Sequence, residues 1–329
     1  MRFARLPALG IAAALVAGVG CDLILGIDDG IPRDDAAPDA AEPLDAGAGD
    51  AADEAAVDAD AAIAFCDTDA AFGAPVAFST LNTTAQDAHL RLTAGTELVG
   101  YFQSARDGGA GGVDIYSASR PSIGDTWTNV TDVAAVNGAG GDNDPSISAD
   151  QLTLYFSRSS DLYRATRAST SAAFGAPVAL AAINSAESDF APYLTDDGAA
   201  LYFSSGRASD AGVAELYATQ PLADGGFAAP TAVAGTGLTT GDNRFAAVTN
   251  DQLVMYFASN RAGGQGGFDV WMTTRASTSV PFDAPRVVPE VSSTSDENVD
   301  WISSDRCRLY FSSSRSGNYD LYVATKTPP

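Results

Sequence analysis

Carboxylate side chains recur at the start of each of five repeats in this chain. A cluster of carboxylates at the mouth of a channel attracts cations or a basic partner segment, and a pair of them can also hydrolyse glycosidic bonds. The residues are Asp87, Asp142, Asp144, Glu187, Asp189, Asp242, Asp296, Glu297 and Asp300. The alternative is that they are turn formers. No segment has the full spacing of a known calcium loop, so we predict no cofactor, with calcium as the alternative.

Other catalytic residue types are scarce. His89 is the only histidine, so a Ser-His-Asp triad would have to use it, and no Gly-x-Ser-x-Gly segment is present. The three cysteines are too far apart to predict a zinc site. Three tryptophans, at 127, 271 and 301, are too few to predict a sugar-binding platform. We therefore predict no catalytic residue, no metal site and a protein that is not an enzyme.

The elements that position these residues follow from an aromatic pair that occurs five times. The second member of each pair lies 54, 47, 54 and 54 residues after the one before it, and the five are Phe102, Phe156, Phe203, Phe257 and Phe311. A turn and a second aromatic-bearing strand follow each pair, and one further strand lies on either side of this hairpin. Four antiparallel strands about every fifty residues predict the blades of a β-propeller.

The N-terminal segment supplies the strand that the last repeat lacks. The last repeat stops after its third strand, and residues 72–82 (FGAPVAFSTLN) nearly duplicate residues 174–184 (FGAPVALAAIN). The fold class is therefore all-β, a five-bladed propeller whose ring is closed by the N-terminal strand. The predicted domain covers residues 71–329, with repeats at about 84–141, 142–188, 189–241, 242–296 and 297–329, and residues 72–83 complete the last blade.

The best-formed repeat begins with Asp189, Pro192, Thr195, Asp197 and Gly198. Residues 201–207 (LYFSSGR) and 215–217 (ELY) follow, and the later repeats contain MYFASNRAGGQGGFDVW and LYFSSSRSGNYDLY. This pattern resembles the WD40-like repeat of TolB-type periplasmic propellers. The resemblance covers residues 72–329 and implies the fold, but propellers host unrelated activities, so it implies little about function.

Each repeat also carries an arginine and an acidic residue on either side of its central turn. We predict that the two side chains meet across the hairpin as structural ion pairs. The pairs are Arg106 with Asp114, Arg207 with Glu215, Arg261 with Asp269, Arg315 with Asp320 and Arg158 with Asp161.

The first seventy residues have a different composition. Arg2 and Arg5 precede an apolar stretch at 6–19 that ends in small residues beside Cys21, which predicts a signal peptide over 1–20. Residues 15–21 resemble a bacterial lipobox, so we predict lipidation of Cys21, with ordinary secretory cleavage as the alternative. Residues 22–70 contain fifteen acidic residues and one arginine, which predicts a disordered stalk within residues 21–70.

Cys66 and Cys307 remain after Cys21. Cys66 precedes the closing strand, and Cys307 lies in the first turn of the blade that this strand completes. In an antiparallel meander these positions share one face, so we predict a disulfide, with two free thiols as the alternative.

The charge balance limits the partners. With 42 acidic and 18 basic residues the net charge is −24, which makes nucleic acid a poor partner. We predict a monomeric propeller anchored in the cell envelope through the lipid on Cys21, in the outer membrane or, as the alternative, the inner one. The predicted function is non-catalytic binding or scaffolding of an envelope protein, peptide or cation. A propeller glycoside hydrolase or polysaccharide lyase using the channel-mouth carboxylates is the alternative.

Overall fold

The computed structural model describes residues 65–208 and 213–327. These residues form five four-stranded antiparallel sheets, which are the five blades of a β-propeller. The predicted fold class is confirmed. The predicted signal peptide, lipidated Cys21 and most of the stalk lie outside the described residues. Within the described ranges, no helix is long and apolar enough to cross a membrane.

Each blade runs from an innermost strand near the channel to a short outermost strand. Blade 1 contains β2 (Asp87–Leu92), β3 (Val99–Ser104), β4 (Asp114–Ser119) and β5 (Thr128–Asp132). Blade 2 contains β6 (Asp142–Ile147), β7 (Thr153–Arg158), β8 (Asp161–Thr166) and β9 (Val178–Ala179). Blade 3 contains β10 (Asp189–Leu194), β11 (Leu201–Ser205), β12 (Glu215–Thr219) and β13 (Thr231–Ala232). Blade 4 contains β14 (Asn243–Val248), β15 (Val254–Ser259), β16 (Asp269–Thr274) and β17 (Arg286–Val287). Blade 5 contains β18 (Glu297–Ile302), β19 (Arg308–Ser313), β20 (Asp320–Thr325) and β1 (Val76–Ala77).

The ring is closed by the N-terminal strand. β1 pairs with β20, with Val76 opposite Val323. Next to this strand, the Cys66 and Cys307 sulfur atoms form a disulfide 2.08 Å long, between the two cysteines that the sequence pairs. The N-terminal segment is therefore joined to the last blade both by backbone hydrogen bonds and by a covalent bond.

The aromatic pairs form the packing between strands. The second member of each pair is at most 1% exposed, so the core depends on the residues that define the repeat. Phe102, for example, packs against Tyr116 on the next strand with ring centroids 6.1 Å apart, and Phe311 packs against Tyr322 at 5.6 Å. Burial of such rings is the main favourable contribution to the fold.

The arginines after the second strands pair differently from the prediction. Arg106 contacts Asp87 at 2.7 Å instead of Asp114, and its guanidinium also donates to the Leu81 carbonyl oxygen. The same exchange of partner occurs in the other blades. Arg158 pairs with Asp142, Arg207 with Asp189 and Arg315 with Glu297, while Arg261 donates to Asn243.

The physical reason is that the arginine side chain lies over two aromatic rings on neighbouring strands. The Arg106 guanidinium carbon is 4.9 Å from the Phe102 ring centroid and 5.0 Å from that of Tyr116, a cation–π geometry that directs the charge toward the innermost strand. The acidic residue across the turn has another partner. Asp114 accepts from the Gly111 backbone N–H, and Asp269 accepts from Gln265 and Gly266. Each arginine therefore joins a hairpin to the connector that precedes its blade, and no Arg106–Asp114, Arg207–Glu215, Arg261–Asp269 or Arg315–Asp320 ion pair forms among the described residues.

Candidate functional site

The innermost strands are irregular at the same place in every blade. The register with the second strand shifts within each of the five strand pairs, as in a β-bulge. The third residue of four innermost strands has a positive φ without being glycine, and these residues are His89 (58°), Asp144 (55°), Ala191 (52°) and Phe245 (54°). Such backbone conformations are strained and concentrate at functional sites.

These bulges direct side chains into the channel. A cavity of about 20 Å³ is lined by the four positive-φ residues together with Val299 and Asp300 from blade 5. All five blades therefore contribute to one narrow point, where the space is the size of a single water molecule.

His89 links the polar residues around this point. Its Nδ1 atom lies 2.5 Å from Asp144 Oδ1 and 2.9 Å from Gln103 Oε1. The amide nitrogen of Asn298 lies 3.3 Å from Nε2, and the ring packs on Phe245 with centroids 4.4 Å apart. The only histidine in the chain therefore contacts side chains of blades 1, 2, 4 and 5.

The channel shifts the pKa values of its two carboxyl groups in opposite directions. Burial raises the pKa of Asp144, but its ion pair with His89 and hydrogen bonds from Ser157 and the Ala191 backbone outweigh burial and hold this pKa below the usual value. Burial raises the pKa of Asp300 to about 7, although Ser312 donates to its carboxyl group. Burial lowers the pKa of His89, and Asp144 and Asp300 more than offset this, so the net shift is upward. At neutral pH Asp144 is thus ionised, whereas Asp300 is about half protonated.

A larger pocket of about 410 Å³ lies at the mouth of the channel. Asp144 and His89 are among its lining residues, and Glu187 supplies a second, exposed carboxylate. Phe190 lines it as well and packs edge-on against Phe245, with centroids 5.8 Å apart. The remaining lining residues are mostly polar or small: Gln103, Asn143, Ser157, Arg158, Ser159, Ser160, Ser188, Gly206, Ala214 and Arg244.

The structure divides the nine predicted mouth carboxylates into three groups. Six of them form ion pairs or hydrogen bonds with other residues of the blades. Asp87, Asp142, Asp189 and Glu297 are fully buried partners of the arginines or their hydroxyl neighbours, Asp242 pairs with Arg244, and Asp296 accepts from the Phe268 N–H. Asp144 and Asp300 line the channel, and Glu187 stands on the pocket wall. Four of the nine also have the turn-forming role of the alternative, because each accepts from the backbone N–H four residues before it: Asp87, Asp142, Asp189 and Glu297.

Several residues of the site were missed from the sequence. The sequence assigns no role to His89, and Phe190, Phe245 and Arg244 belong to no recognisable motif. The available signal was positional, because His89, Asp144 and Phe245 each stand third in an innermost strand. The three tryptophans, in contrast, are at most 7% exposed and offer no sugar platform, as expected.

A metal site would need several donor side chains arranged around one point. In residues 65–208 and 213–327, no group of three or more His, Cys, Asp or Glu side chains is placed to hold a metal ion. The carboxylates of the described residues therefore provide no set of ligands for calcium.

The raised pKa of Asp300 predicts a pH dependence of stability. The pKa of this carboxyl group is near the usual value of 3.8 in the unfolded chain and about 7 in the folded protein. Between these values the folded state retains a proton that the unfolded state has lost, so this group makes stability fall as pH rises from 4 to 7. Asp300→Asn removes this contribution, so its stability relative to the wild type should increase by about 2.5 kcal/mol between pH 4.5 and 6.5.

Urea unfolding at several pH values measures this difference. The matched control is Asp283→Asn, which alters an exposed carboxylate and should follow the wild type. The lowered pKa of Asp144 acts mainly below pH 4, and the raised pKa of His89 acts mainly above pH 6.5, so the window between them isolates Asp300. A constant difference between Asp300→Asn and the wild type across that window would contradict the assignment.

Comparisons with known proteins connect this geometry to other propellers. No protein-family model matches the chain, and no curated protein matches it in sequence. Among solved structures, the catalytic domain of a GH62 α-L-arabinofuranosidase from Coprinopsis cinerea has a TM-score of 0.51 at 13% identity, over 80% of this chain and 98% of that one. An endo-arabinase from Bacteroides thetaiotaomicron has a TM-score of 0.51 at 15% identity, over 78% and 97%. The likeness is one of fold.

TolB proteins are also structural neighbours. TolB from Acinetobacter baumannii has a TM-score of 0.44 at 16% identity, over 76% of this chain, and the chain spans only 57% of the length of that protein. This likeness shows neither a lipid anchor nor a partner.

The prediction that the chain is not an enzyme was wrong in its reasoning. It rested on the absence of recognisable catalytic motifs, but the same propeller fold is found in an α-L-arabinofuranosidase, an endo-arabinase and a β-xylosidase/α-arabinofuranosidase. Catalysis by carboxylates alone needs no sequence motif, so the fold gives no ground for excluding it.

Proposed function

We propose that this protein is a propeller glycoside hydrolase that acts at the channel-mouth pocket. The observation that carries the proposal is the environment of Asp144. It is an ionised carboxylate on a strained bulge at the inner end of a 410 Å³ pocket that also contains a second carboxylate, Glu187. The fold shared with the arabinose- and xylose-releasing enzymes supports this choice over other chemistries.

The proposed reaction adds water across a glycosidic bond. Asp144 accepts a proton from the attacking water as the water oxygen bonds to the anomeric carbon. Glu187, in its protonated form, donates its proton to the oxygen of the leaving sugar as the glycosidic bond breaks, and proton exchange with solvent returns both groups to their starting forms. His89 acts as a positioning residue, because its ion pair holds Asp144 ionised and fixes the direction of the carboxylate. Phe190 offers an apolar face for a sugar ring, while Asn143 and Gln103 offer hydrogen bonds to hydroxyl groups.

We further propose that the enzyme is exported and held in the cell envelope by a lipid on Cys21. Support comes from the signal-like sequence before Cys21 and from the Cys66–Cys307 disulfide, which suits an oxidising compartment. Mass spectrometry of the protein purified from membranes would test this. A mature N-terminus at Cys21 carrying acyl chains is the expected result, and an unmodified N-terminus elsewhere would contradict it.

A screen against neutral and acidic polysaccharides tests the proposed activity. We expect the wild type to release sugars from arabinan or xylan, and Glu187→Gln to lower kcat by about 10²-fold because it removes the proton donor. Glu290→Gln is the matched control, since Glu290 is an exposed glutamate outside the pocket. If the wild type binds glycans but releases no sugar from them, the proposal of a hydrolase is wrong.

A further inference from the structure

The turns between the second and third strands differ in length among the blades. They span residues 105–113 in blade 1, 206–214 in blade 3, 260–268 in blade 4 and 314–319 in blade 5. In blade 2 the turn is only Ser159 and Ser160, both with positive φ (50° and 69°), which is the geometry of a two-residue hairpin. All these turns lie on the face that carries the pocket.

In blades 1, 4 and 5 the longer turn covers the connector that leads into the next blade. In blade 1, a Cβ atom on Gly111 would stand 2.3 Å from the Gly140 carbonyl oxygen, so the turn lies directly on that connector. In blade 4, a Cβ atom on Gly266 would stand 2.6 Å from the Ser293 and Ser295 carbonyl oxygens. In blade 5, Asn318 donates to the Thr84 carbonyl oxygen at 2.7 Å.

The connector from blade 2 to blade 3 has no such cover. Ala186, Glu187 and Ser188 are all exposed, whereas at least one of the two residues before each of the other innermost strands is half-buried or buried. We call this opening, bordered by Ser159, Ser160, Glu187 and Ser188, the blade-2 gap. All four residues also line the 410 Å³ pocket, so the pocket opens sideways over blade 2.

We infer that the blade-2 gap is the path along which a neutral polysaccharide chain leaves the pocket. The inference rests on the proposed function, because it concerns the substrate of that same pocket. A pocket of this volume holds a group of drug size, so a longer chain must continue through an opening in its wall. The hydroxyl groups and carboxylate that border the gap are hydrogen-bonding partners for sugar hydroxyls.

The charges select a neutral chain over an acidic one. The two arginines of the pocket are already paired, Arg158 with Asp142 and Arg244 with Asp242. Glu187 at the gap and the net charge of −24 repel polyuronates. The structure thus assigns the pocket to internal or terminal segments of neutral polymers and not to pectin-like acidic ones.

A loop graft tests the inference. Residues 262–267 (AGGQGG), from the turn of blade 4, are inserted between Ser159 and Ser160 to cover the connector. The same six residues inserted between Asp150 and Gln151, in a turn on the opposite face, provide the matched control. A point variant, Ser188→Leu, narrows the gap without changing any loop. Binding of arabinan, xylan, polygalacturonate, arabinotriose and xylotriose is measured by titration calorimetry, and release of sugar is measured in parallel.

The expected result is that the wild type binds arabinan or xylan but not polygalacturonate. The graft should weaken polymer binding by tenfold or more and change trisaccharide binding by less than twofold, with a smaller effect in the same direction for Ser188→Leu. The control insertion should bind like the wild type. If polymers bind and the graft excludes them but no sugar is released, the gap is supported and the proposed hydrolase is wrong. Equal weakening for polymer and trisaccharide, unchanged polymer binding, or no binding of either neutral polymer by the wild type would overturn the inference.

Discussion

Asp144→Asn is expected to lower kcat for glycan hydrolysis by about 10³-fold while leaving the protein folded. The asparagine side chain cannot accept a proton from water, and it loses the charge that pairs with His89 at 2.5 Å. It retains the shape of the side chain and an oxygen that can accept from Ser157 and from the Ala191 N–H. KM should change much less than kcat, because Asp144 contributes to the reacting step more than to binding of the ground state.

Steady-state kinetics on the best substrate of the glycan screen provide the measurement. Asp283→Asn, at an exposed position outside the pocket, is the matched control and should retain wild-type kcat. His89→Gln separates positioning from catalysis. It should shift the acidic limb of the kcat profile toward higher pH, since Asp144 loses the charge that lowers its pKa. Wild-type kcat in Asp144→Asn would remove the basis of the proposed mechanism.

Removal of the disulfide is expected to have the largest effect on stability. The bond between Cys66 and Cys307 closes a loop with a sequence separation of 241 residues. In the chain-entropy model, a crosslink over such a distance contributes about 5.5 kcal/mol. The double variant Cys66→Ala/Cys307→Ala should lose this amount, since the closing strand β1 pairs over only two residues and contributes little alone.

Equilibrium unfolding in urea measures the loss, and wild-type protein with a reductant should match the double variant. Cys21→Ala is the control, because that cysteine is not part of the bond, and it should unfold like the wild type. A loss below about 1 kcal/mol would show that strain or residual unfolded structure cancels the crosslink. Unfolding should be followed by two probes to check that the ring opens in one step.

The fold could be predicted because its determinants repeat. Five aromatic pairs at nearly constant spacing, together with the duplicated segment at 72–82, specify both the number of blades and the point of closure. The ion pairs could not be predicted in the same way. Asp114 and Arg106 are correctly placed across a turn, but stacking on Phe102 and Tyr116 turns the guanidinium toward Asp87. Sequence spacing predicts which residues lie near each other, but it does not predict which of two nearby carboxylates the arginine binds.

The candidate site depended on features that spacing does not encode. Asp144 and Asp189 occupy similar places in the repeats of the sequence. A bulge directs Asp144 into the channel, whereas Asp189 forms an ion pair with Arg207. His89 acquires its role from side chains of three other blades, with Asn298 standing 209 residues away along the chain. The short turn of blade 2 accounts for the one spacing of 47 residues among spacings of 54, but only the exposed connector beside this turn shows what the shortening opens.

Closure by the first strand also determines the order in which the molecule can be assembled. β1 is synthesised before every other strand, and its partner β20 is the last to emerge. Blades 1 to 4 consist of contiguous segments and can form in turn, whereas blade 5 must wait for the whole chain. Until then Cys66 has no partner and both ends of the ring expose unpaired edges, which favours association between chains. A ribosome that stops short of residue 320 would therefore release four finished blades that cannot become a ring.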